Sequence, residues 1–239
     1  MFAGALPLLS VLVFSGLGFG WRSWLQLRRY GSSGIVLFRS GRPGQHLREA
    51  LFLVLAVALF AEAALAAVAP RRLPDLVPLA PAAAATLRVA GTVLVLGATA
   101  LMLVAQLDLG ASWRVGIEEG ARPGLVTGGL YRYARNPIYV AMLTALLGFT
   151  LLLPNWISLT LLIGAALGIG RHVRDEEAYL ARTYGEEYVR YAMRVGRFVP
   201  GVGRLRPPGR ERIGSAIARA GGAARQRYLL LGAREAGRE

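Results

Sequence analysis

The chain contains no cysteine and no lysine, and only two histidines, His46 and His172. Without cysteine there is no disulfide, no thiol nucleophile and no cysteine-ligated metal, although compartment is left open. Two histidines do not make a ligand cluster, so no metal site is expected. All 28 basic residues are arginine, a bias that reads as genome composition and suggests a bacterial source. A soluble strand–GxGxxG–helix unit is also missing. The glycines of Gly16-Leu17-Gly18-Phe19-Gly20 lie inside an apolar run, where they are weak evidence of a nucleotide loop. The first residues lack the basic region and small-residue cleavage site of a secretory signal, so the first apolar run is expected to persist as a helix.

What the chain has in quantity is apolar residues in blocks. It is 54% hydrophobic over 239 residues, with a mean hydropathy of +0.45. Blocks at residues 2–19, 50–69 (with one acid, Glu62) and 89–107 approach the length of a bilayer span. A close pair, 138–153 and 156–169, is separated by Pro154-Asn155. Each of that pair is short against the roughly 20 residues a span requires, so tilt or extension into the headgroups is expected. The predicted fold is all-α: a polytopic integral membrane protein with about five transmembrane helices and a cytoplasmic helix continuing the last one. Three parts are expected: membrane helices over 1–106, a catalytic core over 107–200, and a basic tail over 201–239.

Arginine placement orients these helices. The first connection holds Arg22, Arg28, Arg29, Arg39, Arg42 and Arg48, and the third holds Arg114, Arg122, Arg132 and Arg135. The second has Arg71 and Arg72 beside Asp75, and the turn at 153–156 carries no charge. The positive-inside rule then puts the first and third connections and the C-terminus in the cytoplasm, with an external N-terminus. A bacterial inner membrane is the expected location. The net charge of +14 fits anionic lipid headgroups better than nucleic acid, because no soluble basic domain precedes the spans.

Two polar segments flank the helical pair. In the first, residues 125–139 (LVTGGLYRYARNPIY), Gly128-Gly129 permits a tight turn. Asn136-Pro137 reads as an N-cap followed by proline at the first helical position. That end would offer free backbone N–H groups, while Arg132 and Arg135 could grip a carboxylate bidentately. Tyr131, Tyr133 and Tyr139 add hydroxyls and flat faces. An aromatic belt with snorkelling arginines would look the same on spacing alone.

In the second segment, residues 171–200, His172 and Glu176 share a helical face, and Arg174 is spaced to pair with Glu177. Val173, Leu180, Tyr184, Tyr188, Tyr191 and Val195 form an apolar stripe that should dock this helix. Glu177 falls within the stripe and Glu176 on its edge, so each is either tied to an arginine or used to bind an ammonium group. Glu186 and Glu187 read as solvated.

The order GLYRYARNPIY, apolar hairpin, EEAYLARTYGEEYVRYAMRVGRFVP resembles the isoprenylcysteine carboxyl methyltransferase family and its bacterial and phospholipid-methylating relatives. The preceding LDLGASWRVGIEEG is similar to that family's approach to its core. The likeness covers about residues 107–200; residues 1–106 agree in helix count and placement. It implies an integral membrane enzyme that transfers the methyl group of S-adenosylmethionine to a lipophilic acceptor taken from the bilayer. It further implies that Tyr131, Arg135, Asn136 and Tyr139 shape the cofactor pocket. Glu176, with Glu177, would contact the cofactor amino group or orient substrate; Arg135, Glu176 and His172 are the candidate catalytic residues. Many members have histidine where Asn136 stands, and some have arginine four residues before the first glutamate, where this chain has His172.

Two other readings stay open at this point. Membrane sterol or enone reductases that use NADPH share an arginine–proline–tyrosine segment, but continue into Gly-Glu where this chain has Val140-Ala141-Met142. A non-enzymatic scaffold binding anionic lipid is the other. Residues 31–44 read as a mobile cytoplasmic loop, and 213–233 as either a basic amphipathic helix on the membrane or part of a basic tail.

Overall fold

Proline starts the long helices. Pro43, Pro81 and Pro137 each stand at a helix start, where the missing N–H would have had no intrahelical partner. The computed structural model describes residues 2–39, 43–73, 76, 78–116 and 124–205. Its helices are α1 (Phe2–Ser15), α2 (Arg22–Tyr30), α3 (Pro43–Val68), α4 (Pro81–Leu109), α5 (Pro137–Leu152), α6 (Trp156–Tyr184) and α7 (Glu186–Arg194). Among the described residues there is no β-strand. Two isolated parallel bridges occur, Ile35 with Val115 and Ala134 with Gly196. Residues up to Arg204 form one compact unit; residues 206–239, including the 213–233 stretch read as either an amphipathic helix or part of a basic tail, lie outside the described residues.

The fold is all-α and polytopic, as expected. Among the described residues four helices, Gly4–Tyr30, Pro43–Val68, Pro81–Ser112 and Trp156–Tyr184, are long and apolar enough to cross a membrane, and α5 is shorter. Their ends differ from the apolar blocks. The first continues through a π-helical turn, Gly16–Trp21, into α2, and the last runs on to Tyr184. Backbone hydrogen bonding carries a helix past the point where apolar residues stop. The single docking stripe is likewise two helices, broken at Gly185 with φ +55°.

Small residues and polar ties hold the bundle. The α4–α5 interface is the most extensive. A Cβ at Gly91 would lie 2.6 Å from the Gly148 carbonyl oxygen, and one at Gly148 would lie 2.8 Å from that of Gly91. The two backbones therefore touch, the close approach that small residues permit in membranes. At one end of the bundle Asn155 caps α6 by accepting from the Ile157 and Ser158 N–H groups, and its amide donates to buried Glu62 at 2.7 Å. At the other end, Arg48 pairs with Asp175 at 2.7 Å, joining α3 to α6.

Two expectations change here. Arg22, expected in the first connection between helices, is 1% exposed and starts α2. It donates to the Gln26 carboxamide and to the carbonyls of Gln106 and Gly110, and its guanidinium stacks on Trp113. It therefore satisfies carbonyls left open at the end of α4. The segment beginning at Gly31 is also pinned over its described part. Val36 N–H donates to Val115 at 2.9 Å, Val115 N–H donates to Gly34 at 2.8 Å, and Phe38 N–H donates to buried Glu49 at 2.6 Å.

Candidate active site

The first polar segment is shaped by a tether from α4. Gly129 has φ +56°, and a Cβ there would collide with the Asp108 carboxylate. That carboxylate accepts the Leu130 N–H at 2.7 Å. Glycine is thus required both for the positive φ and for the close approach. The resulting 3-10 turn, Gly129–Arg132, presents Tyr131, whose carbonyl accepts the Tyr191 hydroxyl at 2.6 Å.

The chain then runs beside the second segment. Arg135 N–H donates to Gly196 at 2.9 Å and Asn136 N–H to Arg197 at 3.1 Å. Asn136 occupies the N-cap position of α5 but makes no side-chain cap. Its amide donates instead to Glu177 at 3.3 Å and to the Arg197 carbonyl at 3.1 Å. The expected cap is replaced because the buried carboxylate and the neighbouring carbonyl both need a donor.

Glu177 is the centre of this arrangement. Its Oε1 accepts from Arg135, with contacts of 3.0 and 2.8 Å, and its Oε2 accepts two bonds from Arg197, at 2.9 and 2.7 Å. The predicted Arg174–Glu177 pair is replaced by these two longer-range partners, which bring complementary charge to a nearly buried carboxylate. Arg135 is equally engaged. Its remaining donors reach the carbonyls of Ala192, Val195 and Gly203. A guanidinium free to grip a ligand carboxylate was expected; this one joins α6, α7 and the following turn, because the last carbonyls of α7 lack intrahelical donors.

Glu176 differs from its neighbour. It is half-buried and accepts one bond, from the Tyr139 hydroxyl at 2.9 Å. His172 is buried, its ring edge-on to Tyr139 and Phe52 at 5.8 and 5.7 Å, and its Nδ1 has no partner. The Tyr188 hydroxyl is also buried without a partner. Burial, with the nearby carboxylates Glu176 and Glu177 respectively, pushes the Tyr131 and Tyr188 phenols well above their usual range. Burial does the same for Tyr191, against the opposing influence of Arg135. The Arg197 guanidinium is held more basic by its hydrogen bonds to Glu177.

A cavity of about 520 Å³ joins these groups. One end is lined by Tyr131, Tyr139, His172, Glu176, Tyr188 and Tyr191, the other by Val11, Phe14, Phe60, Ala145, Phe149 and Leu161. Tyr131, Arg135, Asn136, Tyr139, His172, Glu176 and Glu177 all line it. The expected residues are therefore brought together. Arg197, Asp108, Glu49 and Gln106 were not anticipated. The last two line the cavity and are buried, and only their polarity beside apolar helix faces could have signalled them.

Comparison with known proteins bears on the sequence and the fold. Residues 86–187 match the family model for phospholipid methyltransferase. A stretch of 78 residues is 38% identical to the protein-S-isoprenylcysteine O-methyltransferase of Schizosaccharomyces pombe. The match takes in 32% of this chain and spans only about a third, 33%, of that relative's length. Among solved structures, the eukaryotic intramembrane Ras methyltransferase ICMT (isoprenylcysteine carboxyl methyltransferase) superposes with a TM-score of 0.51 at 18% identity. That superposition covers 82% of this chain and 69% of that one, a likeness of fold. The resemblance to the isoprenylcysteine carboxyl methyltransferase family thus holds in local sequence and in overall architecture.

Proposed function

We propose, from that relationship, that the chain is an integral membrane methyltransferase moving the methyl group of S-adenosylmethionine to a lipophilic acceptor, an isoprenylcysteine-type carboxylate or a related lipid. The observation that carries the reading is the two-ended cavity: tyrosines, His172 and a half-buried carboxylate at one end, and an apolar limb at the other. A single space thereby serves a charged nucleoside and a hydrocarbon tail.

The residues suit such a cofactor. Tyr131, Tyr139, Tyr188 and Tyr191 offer flat faces and hydroxyls; Glu176 offers negative charge toward an ammonium or sulfonium; the unpartnered Tyr188 hydroxyl and His172 Nδ1 offer further polar contacts. The bound cofactor supplies an activated methyl group, so the difficult chemistry is its own. What remains for the protein is placement. Glu177, clamped by Arg135 and Arg197, holds the 134–136 segment against 196–197, and so fixes Tyr139 and through it Glu176. Holding acceptor and donor in line contributes roughly 7–11 kcal/mol toward the barrier. A carboxylate acceptor needs no base; for an amine or thiol, His172 is the proton acceptor. The catalytic core then corresponds to 107–200, with the polar end of the cavity facing the cytoplasm, the N-terminus outside, and the arginine-rich tail on anionic lipid.

The test is calorimetric titration of the detergent-purified protein with S-adenosylhomocysteine, with NADPH in parallel. Saturable binding of S-adenosylhomocysteine alone supports the reading. Binding of NADPH alone transfers the protein to the reductases, and binding of neither to folded protein leaves a lipid-binding scaffold.

A further inference from the structure

We infer that Arg114 is the carboxylate anchor of the cavity, its guanidinium gripping the amino-acid carboxylate of a bound ligand. That is the role the sequence pattern suggested for Arg135. The inference rests on the reading above for its ligands, since S-adenosylmethionine and an isoprenylcysteine-type acceptor each carry one such group. Among the described residues, two arginines line the cavity, Arg114 and Arg135. Arg135 is fully committed: all three guanidinium nitrogens donate, to Glu177 and to the carbonyls of Ala192, Val195 and Gly203. Arg114 is half-buried, and among the described residues its side chain has no hydrogen bond or ion pair.

The acids of the cavity wall are answered elsewhere. Glu49 accepts from the Phe38 N–H on one oxygen and from the Gln45 amide on the other. Glu176 accepts from Tyr139, and Glu177 from Arg135 and Arg197. Arg114 is therefore left as a partly desolvated cation without a counterion, an unfavourable state that a ligand anion relieves. A carboxylate matches the guanidinium fork with two parallel hydrogen bonds.

The backbone on both sides of Arg114 is fixed. Trp113 is buried, its ring stacked under the Arg22 guanidinium at 4.6 Å and its carbonyl accepting the Gln26 amide at 3.3 Å. Val115 exchanges backbone hydrogen bonds with Gly34 and Val36 at 2.8 and 2.9 Å. An anchor on such a support holds its ligand in one place, which is what methyl transfer requires of both reactants. The same Arg22 guanidinium bonds the Gln106 carbonyl. Gln106 also lines the cavity, and its buried carboxamide oxygen has no partner among the described residues. It can accept the N–H that lies beside the carboxylate in either ligand. Arg114 is thus a positioning residue, and its ligand is an amino-acid end in preference to a bare fatty acid.

The experiment measures equilibrium binding of two ligand pairs to the purified full-length protein. One pair is S-adenosylhomocysteine and its decarboxylated analogue, and the other is N-acetyl-S-farnesylcysteine and its methyl ester. Wild-type protein is expected to prefer the carboxylate member of at least one pair. Arg114→Gln should weaken that member by about 10–100-fold and leave its carboxylate-free counterpart unchanged, which also certifies the fold. The pair that loses its preference identifies whether cofactor or acceptor supplies the group. Arg114→Lys keeps the charge without the fork and should show a smaller loss of the same kind; it replaces Arg114→Gln should that variant not fold. An Arg114-dependent preference in the farnesylcysteine pair, with no binding of S-adenosylhomocysteine, sinks the methyltransferase reading and leaves the anchor standing. The anchor is overturned by an unchanged preference in both pairs, by equal losses for both members of a pair, or by no binding of any of the four.

Discussion

At the scale of single residues, Glu176 and Glu177 are neighbours with different roles. Glu177 has both oxygens committed to arginines, whereas Glu176 has one bond, to a tyrosine at the cavity wall. Removing the buried partner of a charge costs about 3–5 kcal/mol. Glu177→Ala is therefore expected to lower the thermal midpoint sharply in detergent, because Arg135 keeps a buried charge with no counterion. Glu176→Gln should keep the midpoint and weaken S-adenosylhomocysteine binding by about 10–100-fold, the loss of one charge-assisted contact. Exposed Glu187→Ala should change neither. Similar thermal midpoints and affinities in the Glu176 and Glu177 variants would contradict the division of labour. The pair was legible in the sequence as two acids at a helix face. Their different duties were not, since the deciding partners lie 42 and 20 residues away, at distances no helical period relates.

Among helices, the α4–α5 contact is the place where size matters most. Gly91 and Gly148 each lie against the other's backbone, so Gly91→Leu should force the helices apart and cost about 1–3 kcal/mol or more. Thermal unfolding in detergent reads this, and an unchanged midpoint would mean the close approach is unimportant. The helices themselves were legible because apolar runs mark them, with Pro137 opening α5, whereas the starts of α3 and α4 at Pro43 and Pro81 lie ahead of the apolar blocks. Their lengths were less so, since α1–α2 and α6 leave the apolar region without a break, while Gly185 interrupts a stripe whose spacing alone looked continuous. The cap at Asn136 failed for a related reason: its side chain answers to the buried Glu177 and a carbonyl from the second segment, and neither is local.

For the whole molecule, burial of the tyrosine cluster implies a pH dependence. Tyr131, Tyr188 and Tyr191 have folded-state pKa values raised above the ordinary value, mainly by burial. Their contribution to stability is complete below the unfolded value of about 10 and is lost as pH rises above it. Midpoints measured from pH 8 to 11 should stay level and then fall beyond about pH 10. Tyr188→Phe should soften that fall at little cost, since the hydroxyl it removes has no partner. A midpoint that rises in that range would contradict the burial argument. The overall all-helical membrane architecture was readable from hydropathy. The cavity was not, because it is formed by faces from six helices that no single stretch of sequence displays.

The Glu62–Asn155 bond and the buried Arg22 also bear on how the protein is made. Glu62 enters the membrane on the second long helix, and its donor lies 93 residues further along the chain. Arg22 waits similarly, for carbonyls 84 and 88 residues downstream. At about 5–20 residues per second of synthesis, that is a delay of roughly 5–20 s. During it, the early helices carry polar groups that lipid cannot satisfy. The polar groups of α2 and α3 therefore gain their long-range partners only once α4 and the α5–α6 turn have been made.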